Sequence, residues 1–120
     1  MLNDIRNIDH IYLAVGYTDL RRGIDGLSLI VQNTFQLNPY QNSLFLFCGR
    51  RTDRIKALLW EGDGFLLLYK RLETGRFQWP RSEAELRELT PQQYRWLTEG
   101  LLIDQEKSIP KVYPESYLAS

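Results

Sequence analysis

At 120 residues the chain has room for one domain with one core and little more. Fifteen Lys and Arg balance fifteen Asp and Glu, so no overall field steers the whole molecule to nucleic acid or to a membrane. One Cys and one His exclude an internal disulfide and a Cys/His zinc site.

No apolar run approaches the eighteen or so residues of a membrane span and no charged-then-apolar leader opens the sequence, so a cytoplasmic protein without membrane contact is expected. The hydrophobic fraction of 43% is that of an ordinary globular domain. The charge is unevenly spread. Residues 1–49 carry three bases and four acids, 50–81 eight and four, and 82–120 four and seven. A neutral chain thus has a basic middle.

Residues 1–8 are polar and read as loose. Asp9–Gly16 is a short β-rich run ended by Gly, with His10 as a surface or edge histidine rather than a ligand or base. Leu20, Ile24, Leu27, Val31 and Thr34 or Phe35 then follow the spacing of one helical face. The spacing predicts a long helix over 20–36, with Asp19 as N-cap. Gly23 and Gly26 are unusual inside it, each costing about 1 kcal/mol against Ala. Asn38-Pro39 stops the helix. Ser43–Cys48 is a continuous apolar run, predicted to be a strand buried on both faces, with Cys48 an inert buried thiol.

The basic middle reads as an antiparallel meander of about 53–61, 65–72 and 76–80. Asp63-Gly64 between apolar runs is a hairpin signal, and Glu73-Thr74-Gly75 fits a second turn with Gly in the left-handed position. Turn residues 63–64 or 62–63 give the same faces: Arg54, Lys56, Leu58 and Trp60 with Phe65, Leu67, Tyr69 and Arg71 on one, and Ile55, Ala57, Leu59 and Glu61 with Leu66, Leu68, Lys70 and Leu72 on the other. The cations gather at the open end, where Arg50 and Arg51 enter and Arg76 returns.

Ser82-Glu83-Ala84-Glu85 and Thr90-Pro91-Gln92-Gln93 both match the capping box. They predict a short helix and a second one over 91–99, closed by Gly100. Residues 1–103 read as a single domain and 104–120 as a C-terminal tail, ordered only if Val112, Tyr113 and Tyr117 find a surface. The fold class expected is α+β: a mostly antiparallel sheet of about five strands with one long helix packed on it and C-terminal helices.

Enzyme signatures are mostly absent: no phosphate-binding Gly-rich loop, nucleophile elbow or His-Glu-x-x-His. No catalytic residue, metal or cofactor is expected. Asp53, Glu61 and Asp63 with Lys56 suggest a metal-dependent nuclease on paper, but Asp53 and Glu61 stand at opposite ends of one strand, on the order of 25 Å apart. The basic rim has two readings. Its cations are a solvated surface that also deters strand-edge pairing, or they bind nucleic-acid phosphates with Tyr69 or Trp60 free to stack on a base. Six Arg to two Lys in the segment suits bidentate phosphate contact. The candidate nucleic-acid-binding residues are Arg50, Arg51, Arg54, Lys56, Tyr69, Lys70, Arg71 and Arg76. Trp60, Trp79 and Trp96 read individually as core.

YLAVGYTDLRRGIDGL (12–27), GRRTDRIKALLWEGDG (49–64) and YKRLETGRFQWP (69–80) resemble motifs of TnpB, the accessory protein in the small middle reading frame of IS66-type insertion sequences. This is not the RNA-guided nuclease of the same name. The resemblance covers about residues 10–101. Its characteristic residues fall on Asp19, Arg21, Arg22, Asp25 and Gly26; on Arg50, Arg51, Asp53, Arg54, Lys56, Trp60 and Gly64; and on Tyr69, Lys70, Arg71, Gly75, Arg76, Phe77, Trp79 and Pro80. Glu61 stands where members often have Asp, which counts against a metal ligand, and the tail from 104 has no counterpart.

The resemblance implies a role in bacterial DNA transposition beside a separate, larger transposase that carries the catalytic carboxylates. The chain would then be a non-enzymatic accessory with the DNA of the element ends and the transposase as partners, and self-association open. The alternative is a protein-interaction module that docks on the transposase or a sister subunit through the rim and the Trp60/Tyr69 face.

Overall fold

The computed structural model describes residue 2, residues 5–81 and residues 84–105. Five strands form one sheet: β1 (His10–Ala14), β2 (Ser43–Cys48), β3 (Arg54–Trp60), β4 (Phe65–Arg71) and β5 (Leu86–Leu89), in the order β4-β3-β2-β1-β5. The sheet is mixed. β1 runs parallel to β2, with His10 opposite Ser43, and the other three pairings are antiparallel. Two short helices accompany it: α1 (Ile24–Leu29), continued by a π-helical turn over Ile30–Thr34, and α2 (Pro91–Thr98).

This architecture corrects the expected one. No long helix packs on the sheet, and the region after the hairpin holds a strand before its helix. The 20–36 helix fails at its start. Asp19 does not cap it; its carboxylate accepts the Arg21 main-chain N–H at 3.0 Å and the Arg21 guanidinium at 2.9–3.2 Å, closing a local turn. Short polar side chains commonly divert the backbone in this way. Gly23 then runs extended, and helical geometry begins only at Ile24 with no side-chain cap. The helix expected from Ser82 is instead β5, which pairs with β1 from Ile11 opposite Leu89 to Ala14 opposite Leu86. Ser82 and Glu83 of that capping box lie outside the described residues, as do Val112, Tyr113 and Tyr117 of the tail.

The hairpin has the predicted faces. Trp60 opposite Phe65 and Arg54 opposite Arg71 select the 62–63 turn, closed by the Glu61 N–H donating to the Gly64 carbonyl at 2.9 Å. Gly62 takes φ 91° at the first central position, which favours glycine because the strands' twist asks for a turn with positive φ there. The third strand of the meander is absent. Residues 76–80 instead cross the sheet as an extended segment, with the Phe77 N–H bonded to the Thr52 carbonyl at 2.7 Å and Phe77 and Trp79 buried. The Trp79 Nε1–H donates to the Ala14 carbonyl at 2.9 Å.

β2 is buried along its whole length, because both faces of the sheet are covered. On one face Leu13, Leu46, Ile55 and Ala57 pack with Phe77, Trp79, Tyr94, Leu97 and Ile103. Leu2, Ile5 and Ile8 join this core, so the described N-terminal residues are packed rather than loose. The Tyr94 hydroxyl donates to the Leu2 carbonyl. On the other face Ala14, Phe45, Phe47 and Leu58 meet Leu27 and Val31. The second capping box is complete: the Thr90 hydroxyl accepts from the Gln93 N–H at 3.1 Å and the Gln93 side chain accepts from the Thr90 N–H at 2.9 Å. Among the described residues no helix is long and apolar enough to cross a membrane.

Candidate nucleic-acid interface

A parallel strand pair sends both of its outgoing loops to the same edge of the sheet, the end at which ligands of such sheets commonly sit. Here the chain leaving β1 and the chain leaving β2 emerge side by side. The Thr18 N–H donates to the Cys48 carbonyl at 2.8 Å, which fixes the 17–22 loop against the end of β2. Leu20 lies over Gly49 so closely that a Cβ there would stand 3.2 Å from its methyl group, so the Leu20 side chain would have to shift by a few tenths of an ångström. Between this loop and the open end of the β3–β4 hairpin lies a cavity of about 770 Å³, lined by residues 17–21, 49–51, Arg54, Lys56 and Tyr69.

Five of the eight predicted residues come together here: Arg50, Arg51, Arg54, Lys56 and Tyr69. Arg50 and Arg51 are exposed and belong to no ion pair among the described residues. Arg54 is partly covered and pairs with Asp53 at 3.0 Å. That pair holds the Asp53 carboxyl below its ordinary range, with Arg51 adding to the effect, and raises the guanidinium further. The Lys56 ammonium donates to the Arg22 carbonyl at 2.9 Å and lies 5.9 Å from the centre of the Tyr69 ring.

Lys70, Arg71 and Arg76 do not line the cavity. Lys70 faces the other side of the sheet, opposite Ile55. Arg71 turns to Glu73 at 3.3 Å, and Arg76 is exposed at the start of the 76–80 segment. Trp60 stands at the far end of the hairpin, in an aromatic cluster with Tyr40 and Phe65 at ring distances of 4.9–5.2 Å.

The residues that sequence reasoning missed come from the first loop. Arg21 lines the cavity but is clamped by Asp19, whose carboxyl the Arg21 hydrogen bonds hold down to about 2. Tyr17 lines it too, with the Arg81 guanidinium 5.1 Å from its ring centre. The Asp19-Leu20-Arg21-Arg22 motif was the available signal; a helix register concealed it. Cys48, just beneath, is buried, and burial pushes its thiol up to about 12, so it is inert at neutral pH. Asp53, Glu61 and Asp63 remain apart, and among the described residues no three of His, Cys, Asp and Glu gather as a metal site.

The model of the family described as IS66 Orf2 like protein matches residues 9–108. The chain belongs to this family of insertion-sequence accessory proteins. It is 38% identical to uncharacterized protein y4hO of Sinorhizobium fredii over 84% of its own length and 87% of that relative. It is 33% identical to uncharacterized protein y4jC of the same organism over 76% and 78%. No solved structure matches.

Proposed function

We propose that this IS66 Orf2-like chain is a non-catalytic accessory of transposition that grips DNA phosphates of the element ends through the groove of Arg50, Arg51, Arg54 and Lys56. The observation that carries the reading is the meeting of these four cations, two of them exposed and in no ion pair among the described residues, in one concave site. A neutral protein gains a local positive potential there, and neutralising phosphates releases their condensed counterions. Arg guanidinium groups add bidentate geometry to the charge.

The test is a binding isotherm on element-end DNA with the Arg50→Glu/Arg51→Glu variant. Affinity should fall at least about tenfold in low salt, and the slope of log affinity against log salt should flatten by about two units, near 0.9 per lost phosphate contact. Unchanged affinity in low salt overturns the reading.

A second reading is docking on the transposase. The Tyr40–Trp60–Phe65 cluster favours it, because Tyr40 is 52% exposed on an aromatic surface away from the groove. A pull-down separates the two: Tyr40→Ala should release the transposase if this surface docks it, and Arg50→Glu/Arg51→Glu should not.

A further inference from the structure

Tyr69 is the one ring of the groove that reaches out from a strand, and it is 57% exposed. An aromatic side chain so exposed usually rotates freely. This one is steadied. It stands opposite Lys56 across the β3–β4 ladder, and the Lys56 ammonium lies 5.9 Å from the ring centre. Lys56 is itself anchored on the Arg22 carbonyl at 2.9 Å. Arg54 lies two residues along β3 on the same face as Lys56, and Asp53 holds its guanidinium at 3.0 Å. The ring is thus pre-set at the mouth of a cavity of about 770 Å³, a size in the range of small-ligand sites.

A pre-set aromatic ring among these cations is more than phosphate binding needs. A duplex keeps its bases stacked inside and offers only phosphates to such a site. A single strand offers both a phosphate and the face of a base. Resting on the proposed phosphate contact, we infer that the groove takes single-stranded DNA, with one unstacked base on Tyr69 and its flanking phosphates on Arg50, Arg51 and Arg54. Stacking of this kind is tolerant of sequence, since every base has a π-face. The chemistry fits the frayed or cleaved end of a DNA element, where strands are unpaired.

Fluorescence anisotropy with the full chain tests this at one salt concentration. The probes are a labelled twelve-nucleotide strand, its duplex, and a strand of equal length whose central residues are abasic. The base-bearing strand should bind at least about fivefold tighter than the other two. Tyr69→Ala should cost about tenfold on the base-bearing strand, the usual scale of one lost stack, and leave duplex and abasic affinities within about twofold. Tyr69→Phe keeps the ring and should keep the affinity. Tyr40→Ala, exposed but remote, should change nothing.

Duplex binding as tight as single-strand binding, with Arg50→Glu/Arg51→Glu still abolishing both, overturns the single-strand assignment and leaves the phosphate contact standing. An equal loss on the abasic strand for Tyr69→Ala also overturns it. If no probe binds in low salt, the phosphate reading fails and takes this one with it.

Discussion

The two faces of the sheet are covered to different extents, and the candidate site follows from the difference. On one face fourteen described residues form a buried cluster, completed by the 77–79 segment, α2, Ile103 and the N-terminal apolar residues. On the other face the buried cluster has six, because its cover is a six-residue helix and a π-helical turn. The bare part of that second face is where Arg54, Lys56 and Tyr69 stand. Buried cations would need partners to repay their lost hydration; here the backbone stops short of covering them. A groove arises where a helix begins late, at Ile24.

The comparison predicts unequal costs for truncation. Trp79→Ala removes a large ring from the thick core together with its hydrogen bond to the Ala14 carbonyl, so it should cost about 3–5 kcal/mol. Leu27→Ala, fully buried in the thin core, should cost less, about 2–3 kcal/mol at the low end for such changes. Urea midpoints at constant m-value measure both. A larger cost for Leu27→Ala would break the ranking of the two faces.

Smaller effects sharpen it. Thr90→Ala removes one side of the complete capping box on the thick-core side and should cost about 1 kcal/mol in the same assay. Arg50→Glu/Arg51→Glu, on the bare side, should leave stability within about 0.5 kcal/mol, as exposed substitutions do. A variant that lost DNA and kept its urea midpoint would separate binding from folding. An Arg50→Glu/Arg51→Glu protein that unfolded early would mean these cations support the fold instead.

What the sequence disclosed follows the range of each interaction. The hairpin faces, the buried β2 and the Thr90 box rest on neighbours within a few residues, and all three are present. The clustering of Arg54, Lys56 and Tyr69 was legible because both candidate hairpin turns give the same period-two faces, and Arg50 and Arg51 enter at the open end of that hairpin. The long helix was misread because Leu20, Ile24 and Leu27 keep helical spacing even where Asp19 and Gly23 break the helix. Strand β5 was misread because Ser82–Glu85 has capping-box spelling while Leu86–Leu89 is claimed by β1. The parallel β1–β2 pair is a long-range choice with no local signature, and it alone brings the Asp19 loop to the groove. That is why Tyr17, Asp19 and Arg21 were not placed at the site, although the motif that holds them was recognised.

Asp19 gives the smallest and most local prediction. Its carboxyl accepts hydrogen bonds from Arg21 and is held down to about 2, against an ordinary aspartate value near 4. A depressed folded-state value means that the unfolded chain binds more protons as pH falls from about 4 to 2. The pair's contribution is therefore complete above pH 4 and is lost as pH drops through that window. The pair is exposed, so the global effect is slight and screened by salt. NMR should see it directly: the Asp19 carboxyl should titrate near pH 2, and in Arg21→Ala its midpoint should rise toward the ordinary range. At neutral pH the same carboxylate cancels one cation of the groove. Asp19→Asn should release that charge to an incoming phosphate and tighten DNA binding by about two- to fivefold, the scale of one exposed charge pair. Weaker binding by Asp19→Asn would reverse the argument. Asp19 would then serve the groove by holding Arg21 in place, and its negative charge would be the lesser effect.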